Sequence, residues 1–138
     1  MNSVDEAARS LIYAHRGASA SHPENTLAAF EAAIMVGADG IELDVRATSD
    51  GVPVVSHDIG LHRAWAIDRA ISRLSLTELR ETTPAIPTFA EVLALVAGRI
   101  HLDIEIKEAG VEAAVLELLK DLPRDRWAIS SFDWDILR

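Results

Sequence analysis

Two segments of the sequence alternate strictly between apolar and charged residues, which is the two-residue period of a β-strand. They are residues 41–46, Ile-Glu-Leu-Asp-Val-Arg, and residues 100–107, Ile-His-Leu-Asp-Ile-Glu-Ile-Lys, where only His101 breaks the pattern of charge. Each segment is therefore predicted to pack one face into a core and to present acidic side chains on the other. Burying unpaired charges is costly, so something must compensate these acidic faces.

The rest of the chain alternates short apolar runs with stretches of helical periodicity. This alternation is typical of βα units around a parallel sheet, and the 49% hydrophobic content is ample for one buried core. Strands are predicted at 11–15, 41–46, 52–57, 100–107 and 127–130, with helices from about 25, 88 and 111. We expect one α/β domain over residues 1–138, with an insertion at about 58–87 that contains a short helix opened by Ser75 and Glu78.

The dipeptide Asp50-Gly51 predicts a tight hairpin after the second strand, because this pair supplies the positive φ angles that a two-residue turn needs. Counting outward from such a turn places Asp44 opposite His57. Directly opposed residues have Cβ atoms roughly 5 Å apart. The sequence therefore predicts that this carboxylate and this imidazole meet at one site.

Charge and cysteine content exclude several classes of function. A formal net charge of -9 gives no basic surface for a nucleic-acid backbone, and the absence of cysteine excludes disulfides, thiolate catalysis and cysteine-ligated metals. Residues 1–10 lack the apolar core of a signal peptide, and no apolar run approaches membrane-spanning length. We expect a soluble, cytoplasmic protein with no nucleic-acid partner and no integral membrane segment.

Three carboxylates on the charged strand faces are candidate metal ligands. Glu42, Asp44 and Glu105 offer hard oxygen donors, which suit Ca²⁺ or Mg²⁺ better than a soft metal. The alternative is an ion-pair network with Arg46 and Lys107, or a solvated sheet face. Spacing alone leaves these interpretations open.

Basic residues at the strand ends are candidates for phosphate binding and proton transfer. His15 and Arg16 end the first strand, where an arginine can donate two hydrogen bonds to phosphate and an imidazole can exchange a proton near neutral pH. The alternative is a surface His-Arg pair in a loop. His57 is a second proton-transfer candidate or a polar strand end, and Lys107 could neutralise a phosphate or pair with Glu105.

Six runs of sequence, taken together, resemble the glycerophosphodiester phosphodiesterase family in order and spacing. They are Ala14-His15-Arg16-Gly17, Pro23-Glu24-Asn25-Thr26, Gly40-Ile41-Glu42-Leu43-Asp44-Val45, residues 50–58, Glu105-Ile106-Lys107 and Ser130-Ser131-Phe132-Asp133. The resemblance implies hydrolysis of small-molecule glycerophosphodiesters to glycerol 3-phosphate and an alcohol. Asn25 is expected to cap the following helix rather than to contact substrate.

The resemblance also implies a role for each matching residue. His15 and His57 would be the acid and base pair, and Arg16 and Lys107 would bind the phosphate. One divalent cation, Ca²⁺ or Mg²⁺, would be held by the three carboxylates, which are Glu42, Asp44 and Glu105.

The resemblance implies a (β/α)₈ TIM barrel, but such a barrel needs about 250 residues. About four βα units are present, so the chain is expected to be the N-terminal half of a partial barrel. Truncation of a longer enzyme is the favoured explanation, with a homodimer that completes the barrel and an open α/β domain as alternatives. The chain alone is expected to have weak or no activity. A related lipid-directed phospholipase and a non-catalytic domain of the same fold are the alternative functions.

Overall fold

The computed structural model describes residues 9–96 and 98–138, so the prediction for the N-terminal segment falls mostly outside the described residues. The described chain forms five strands and five α-helices, with two single turns of 3₁₀ helix at Ile71–Arg73 and Arg124–Arg126. In chain order the elements are β1 Tyr13–His15, α1 Leu27–Met35, β2 Gly40–Ala47, β3 Pro53–Val55, α2 His62–Trp65, α3 Leu76–Thr82, α4 Phe89–Val96, β4 His101–Ile106, α5 Glu112–Leu119 and β5 Trp127–Ser130.

Four of the strands form a parallel sheet in the order β1-β2-β4-β5. The short strand β3 runs antiparallel to the end of β2. Helices connect the parallel strands, which confirms the predicted α/β fold. The register pairs Asp44 of β2 directly with Glu105 of β4. This pairing brings the two charged strand faces together.

The apolar face of the sheet packs against the helices. Ile41, Leu43 and Val45 are fully buried, as the alternation predicts, and so are the two large side chains Phe30 of α1 and Phe89 of α4. Leu27, the first residue of α1, is 36% exposed and lies outside the buried face of the helix. The buried residues of α1 are Ala29, Phe30 and Ala33.

The opposite face of the sheet is built in layers that follow the strand register. Tyr13, Gly40 and His101 form the layer at the start of the strands, and the hydroxyl of Tyr13 lies 2.8 Å from Nδ1 of His101. A side chain at Gly40 would place its Cβ 2.2 Å from the Tyr13 ring. Only glycine therefore fits beside this ring. The next layers, toward the carboxyl ends of the strands, are acidic.

The hairpin between β2 and β3 is one residue out of the predicted register. Val45 pairs with Val55, and the backbone N–H of Ser56 donates to the carbonyl oxygen of Asp44 at 3.0 Å. The connection is a three-residue loop, residues 49–51, in which Gly51 has a φ of +79°. A one-residue change of register moves side chains to other neighbours. The predicted position of His57 opposite Asp44 is therefore wrong.

The segment 58–87 packs around its own apolar cluster rather than lying loosely on the surface. Its helix α3 begins with the predicted capping box, in which Ser75 and Glu78 exchange side-chain and backbone hydrogen bonds. Val54 of β3 belongs to this second cluster, whereas the neighbouring Val55 belongs to the main core. The other buried members are Leu61, Ile71, Leu74, Leu79 and Ile86.

The helix predicted from about residue 88 corresponds to α4. At its start, the backbone N–H of Thr88 donates to Oε2 of Glu91 at 2.8 Å, and the N–H of Glu91 donates to Oγ1 of Thr88 at 3.1 Å. Residues 134–137 form a turn. Across the described residues, no helix combines the length and the apolar character needed to cross a membrane.

Candidate active site

Three carboxylates meet at the carboxyl ends of β2 and β4. Glu42 and Asp44 lie two residues apart on one strand face, and the strand register adds Glu105 from the neighbouring strand. One oxygen from each of the three lies within 4.8 Å of the others. Asp44 is 1% exposed, and its Oδ1 has no hydrogen-bond partner among the described residues.

The environment of Glu42 disfavours a negative charge on its carboxylate. Burial, followed by the charges of Asp44, Glu105 and Asp103, raises the pKa of Glu42 to about 7, against the opposing hydrogen bond from the backbone of Arg16. Three oxygen donors, one of them a buried oxygen without a hydrogen bond, suit a hard divalent cation, which would add positive charge to this acidic group. The donor set therefore fits Ca²⁺ or Mg²⁺, and fits a thiophilic metal poorly.

The end of β1 places two of the predicted site residues beside this acidic centre. The backbone N–H of Arg16 donates to the carbonyl oxygen of Glu42 at 2.8 Å, and its Nη1 lies 3.1 Å from Oε2 of Glu24. Its Nε is 3.5 Å from Oδ2 of Asp44 and has no hydrogen-bond partner among the described residues. The Nε2 atom of His15 lies 3.6 Å from Oε2 of Glu42, on a side chain that is 69% exposed.

Lys107 follows β4 and faces the same centre. Its Nζ donates to Oε1 of Glu105 at 2.8 Å and lies 3.9 Å from Oδ1 of Asp44. The Lys107 ammonium also lies 5.8 Å from the centre of the Phe132 ring. The alternative of an ion-pair network is thus present in part: the two cations, Lys107 and Arg16, lie beside three carboxylates.

Arg46 does not join that centre, although the sequence allowed it as a partner. Its Nη1 pairs with Oε2 of Glu108 at 3.0 Å, and its Nε donates to the carbonyl oxygen of His57 at 2.9 Å. Arg46 is 7% exposed and fixes the chain beyond β3. Its role in these contacts is to hold the loop that contains His57.

His57 lies on the loop after β3 and contacts none of the three carboxylates through a hydrogen bond or ion pair between described residues. Its Nδ1 instead lies 2.7 Å from Oδ1 of Asp58. This contact orients the ring and leaves Nε2 as its other nitrogen for proton exchange. A hydrogen bond from Arg63, followed by the one with His57, lowers the pKa of Asp58 to about 2, so this partner is ionised at neutral pH.

Asn25 is part of the site, and its predicted role as a helix cap is wrong. Thr26 caps α1 by accepting a hydrogen bond from the N–H of Ala29 at 3.2 Å. Asn25 lies one residue earlier, with a left-handed φ of +55°, and its side chain donates to Oδ2 of Asp44 at 3.0 Å. Asparagine tolerates this conformation better than most residues. The sequence run Pro-Glu-Asn-Thr pointed to this loop but not to this contact.

An open groove continues from the acidic centre toward the end of the described chain. It measures about 520 Å³, and its walls include Glu105 and Lys107 on one side and two aromatic residues on the other. Those residues, Phe132 and Trp134, are 90% and 77% exposed. Space for a small molecule is therefore present directly beside Lys107.

The fold and the acidic centre together define a partial (β/α)₈ barrel of the phosphodiesterase type. The chain belongs to the glycerophosphoryl diester phosphodiesterase family, whose model matches residues 15–138. The predicted family resemblance is thereby confirmed.

Among curated relatives, the chain is 36% identical over 148 residues to a glycerophosphodiester phosphodiesterase of Caldanaerobacter subterraneus subsp. tengcongensis, with 94% of this chain and 61% of the relative covered. It is 39% identical to the enzyme of the same name from Bacillus altitudinis, with coverages of 88% and 57%. The chain thus spans about three fifths of the length of these relatives.

Solved structures agree in fold and in coverage. The glycerophosphodiester phosphodiesterase of Thermotoga maritima superposes with a TM-score of 0.87 at 45% identity, over 94% of this chain and 57% of that one. An Oleispira antarctica phosphodiesterase in complex with the product sn-glycerol-3-phosphate superposes with a TM-score of 0.82 at 34% identity, over 93% and 60%. The sheet described above therefore corresponds to part of a larger barrel.

Proposed function

We propose that the intact protein hydrolyses glycerophosphodiesters to glycerol 3-phosphate and an alcohol in a reaction that depends on a divalent cation. The proposal rests most directly on the convergence of Glu42, Asp44 and Glu105 within 4.8 Å, in surroundings that raise the pKa of Glu42 to about 7. The Oleispira antarctica relative, solved with sn-glycerol-3-phosphate, supports the choice of substrate class.

The cation, Ca²⁺ or Mg²⁺, would polarise the phosphoryl oxygens and offset the charge that develops on them in the transition state. Glu42, Asp44 and Glu105 would hold it. Arg16 and Lys107, whose charged ends already face the same centre, would bind the remaining phosphate oxygens.

Proton transfer is assigned to two histidines. His15 lies beside Glu42, and His57 lies on a separate loop where Asp58 orients its ring. In this scheme one imidazole takes the proton of the attacking oxygen and the other gives a proton to the leaving alcohol oxygen. Two such groups give a bell-shaped dependence of kcat/KM on pH.

The test is the release of glycerol 3-phosphate from glycerophosphocholine by the intact protein, measured with Ca²⁺, with Mg²⁺ and after chelation. We expect turnover with one of the cations, none after chelation, and a loss of about 10²-fold or more in Glu42→Gln, because a metal ligand is removed. Turnover that persists undiminished after chelation would contradict the cation-dependent mechanism.

The same assay separates the alternatives. A preference for micellar lysolipid over soluble glycerophosphocholine would identify a lipid-directed phospholipase. A protein that binds neither cation in calorimetry and turns over neither substrate would be a non-catalytic member of the fold.

We further infer that residues 1–138 provide the N-terminal half of the barrel, with residues 58–87 as an insertion beside its site. The four parallel strands and the coverage of 57% to 61% of the relatives support this placement. A homodimer that completes the barrel is the alternative, and sedimentation of the purified chain distinguishes the two.

A further inference from the structure

Arg63 connects two parts of the site that are far apart in the sequence. It lies on α2, and its guanidinium contacts Glu24, 39 residues earlier, and Asp58, five residues earlier. Glu24 in turn pairs with Arg16, and Asp58 with His57. A continuous line of charged contacts therefore runs from the phosphate-binding candidate to the proton-transfer candidate.

The geometry of Arg63 is specific to an arginine. One edge of its guanidinium, Nε and Nη2, donates to the two oxygens of Asp58 at 2.7 and 3.1 Å. The other edge, Nη1 and Nη2, donates to the two oxygens of Glu24, at 3.2 Å for Nη1. A planar fork can bind two carboxylates in this way, whereas the point charge of a lysine cannot.

The backbone around Arg63 is anchored by burial of a neighbouring side chain and by backbone hydrogen bonds. Leu61, two residues earlier, is fully buried in the second apolar cluster, and its N–H donates to the carbonyl oxygen of Arg69 at 2.9 Å. The helix ends at Trp65, and the N–H of the next residue, Ala66, donates to the carbonyl oxygen of His62 at 2.8 Å. The guanidinium thus extends from an anchored turn.

Stability alone does not explain this arrangement. The side chain of Arg63 is 52% exposed, and exposed ion pairs contribute little to folding free energy. The hydrogen bond from Arg63 is the main cause that lowers the pKa of both Glu24 and Asp58, which favours the charged form of each carboxylate. Two fixed anions are useful for orienting the cationic and imidazole groups beside them.

We propose that Arg63 is a positioning residue that sets the orientations of Arg16 and His57 together, through Glu24 and Asp58. This inference rests on the proposed function, because it assigns the two oriented side chains to phosphate binding and proton transfer. Removing Arg63 leaves Glu24 with Arg16 as its remaining ion-pair partner and leaves Asp58 with His57 alone. Arg16 and His57 are then no longer connected through one common residue, and their relative positions are less constrained.

The experiment compares Arg63→Gln with Arg80→Gln in the intact protein. Arg80 is a matched control, because it lies in the same segment and its side chain is 42% exposed. It forms an ion pair with Glu91, with an N–O distance of 2.6 Å, and this pair does not belong to the site. We expect similar, small changes in thermal midpoint for both variants. Arg63→Gln should lose about 10- to 100-fold in kcat/KM, with part of the loss in kcat, whereas Arg80→Gln should keep the wild-type value.

Two more variants test the geometry. Arg63→Lys keeps the positive charge but not the planar guanidinium. On a logarithmic scale, it should therefore recover less than half of the kcat/KM that Arg63→Gln loses. In the double variant Asp58→Asn/Arg63→Gln the losses should be less than additive, because both changes break the same connection. If Arg63→Gln does not fold, Arg63→Lys is compared with the wild type directly, and an unchanged kcat/KM in this variant would overturn the inference.

A readout independent of turnover keeps this inference separable from the proposed function. The ring resonances of His57 and the Nε–H resonance of Arg16 should shift in Arg63→Gln and stay unchanged in Arg80→Gln. An inactive wild-type protein would overturn the proposed function, and these resonances would then decide the structural claim. Activity and resonances in Arg63→Gln that match those of Arg80→Gln would overturn the inference while leaving the function intact.

Discussion

The side-chain amide of Asn25 donates a hydrogen bond to Oδ2 of Asp44 at 3.0 Å, across 19 residues of chain. Asn25 is 3% exposed, and its backbone has a left-handed φ of +55°. The bond engages one oxygen of the most buried carboxylate and leaves the other, Oδ1, without a hydrogen bond among the described residues. Asn25 thereby orients Asp44 as a candidate metal ligand.

Replacing Asn25 should weaken divalent-cation binding more than it weakens the fold. We expect Asn25→Gly to lower the affinity for Ca²⁺ or Mg²⁺ by about 10- to 100-fold, the usual effect of losing a residue that orients a metal ligand. Glycine is chosen because it keeps the positive φ without strain. Isothermal titration calorimetry of the purified protein measures this change.

Thr26→Ala is the matched control for this prediction. It removes the N-cap of α1 and should lower the free energy of unfolding by about 1 kcal/mol, while cation affinity stays unchanged. Equal cation affinities in Asn25→Gly and the wild type would show that the amide does not orient Asp44 for binding.

The acidic centre could be predicted from the sequence because its determinants are local. Alternation within a strand places Glu42 and Asp44 on one face whatever surrounds them, and the same holds for Asp103 and Glu105. Only the pairing of the two strands had to be supplied by the parallel-sheet interpretation. The structure adds the register that sets Asp44 beside Glu105.

The hairpin register could not be predicted because residues far along the chain determine the loop. The Asp50 carboxylate accepts hydrogen bonds from the Thr48 hydroxyl at 2.6 Å and from the N–H of Leu76 at 3.0 Å, and Ser49 donates to the carbonyl of Leu74 at 2.8 Å. These contacts favour a three-residue loop over the turn that Asp50-Gly51 suggests alone. The contacts of Asn25 with Asp44 and of Arg63 with Glu24 are also long-range and were missed for the same reason.

The raised pKa of Glu42 predicts that the metal-free protein loses stability as pH rises. Its folded pKa of about 7 lies above the usual value of 4.5, so the folded state binds the proton more tightly than the unfolded state. The resulting stabilisation is complete below pH 4.5 and is lost as pH rises through 7. Urea unfolding of chelator-treated protein between pH 5 and pH 8 measures this loss.

Glu42→Gln and added cation separate the causes of that pH dependence. The variant should flatten the profile between pH 4.5 and 7, because no proton is taken up at that position. In the wild type, cation affinity should rise with pH through about 7, since the ligand must be ionised to bind. A wild-type profile as flat as that of Glu42→Gln would contradict the assigned pKa.

Gly40→Ala should destabilise the fold by about 1 to 3 kcal/mol, the usual cost of inserting an atom into a packed site. The new Cβ would lie 2.2 Å from the Tyr13 ring and would displace it from His101. Chemical denaturation measures the change. In the background Tyr13→Ala the ring is absent, so the same substitution should cost distinctly less, and additive effects would contradict this account.

The segment 58–87 should unfold together with the sheet rather than as a separate lid. Successive residues of β3 face different clusters: Val54 packs with Leu79 and Ile86 of the segment, and Val55 packs in the main core. Loss of one cluster therefore exposes one face of a strand that the other cluster needs. Leu79→Ala should lower the free energy of unfolding by about 2 to 5 kcal/mol, as expected for a fully buried leucine.

The distinguishing measurement is the number of unfolding transitions in Leu79→Ala. Unfolding is monitored by circular dichroism and by tryptophan fluorescence, to which Trp65 of the segment contributes. Coincident curves are expected, because the strand β3 couples the two clusters. Leu116→Ala is the control, since this leucine of α5 is 48% exposed and its removal should change stability far less. An early fluorescence transition in Leu79→Ala, ahead of the loss of secondary structure, would instead assign the segment to an independent unit.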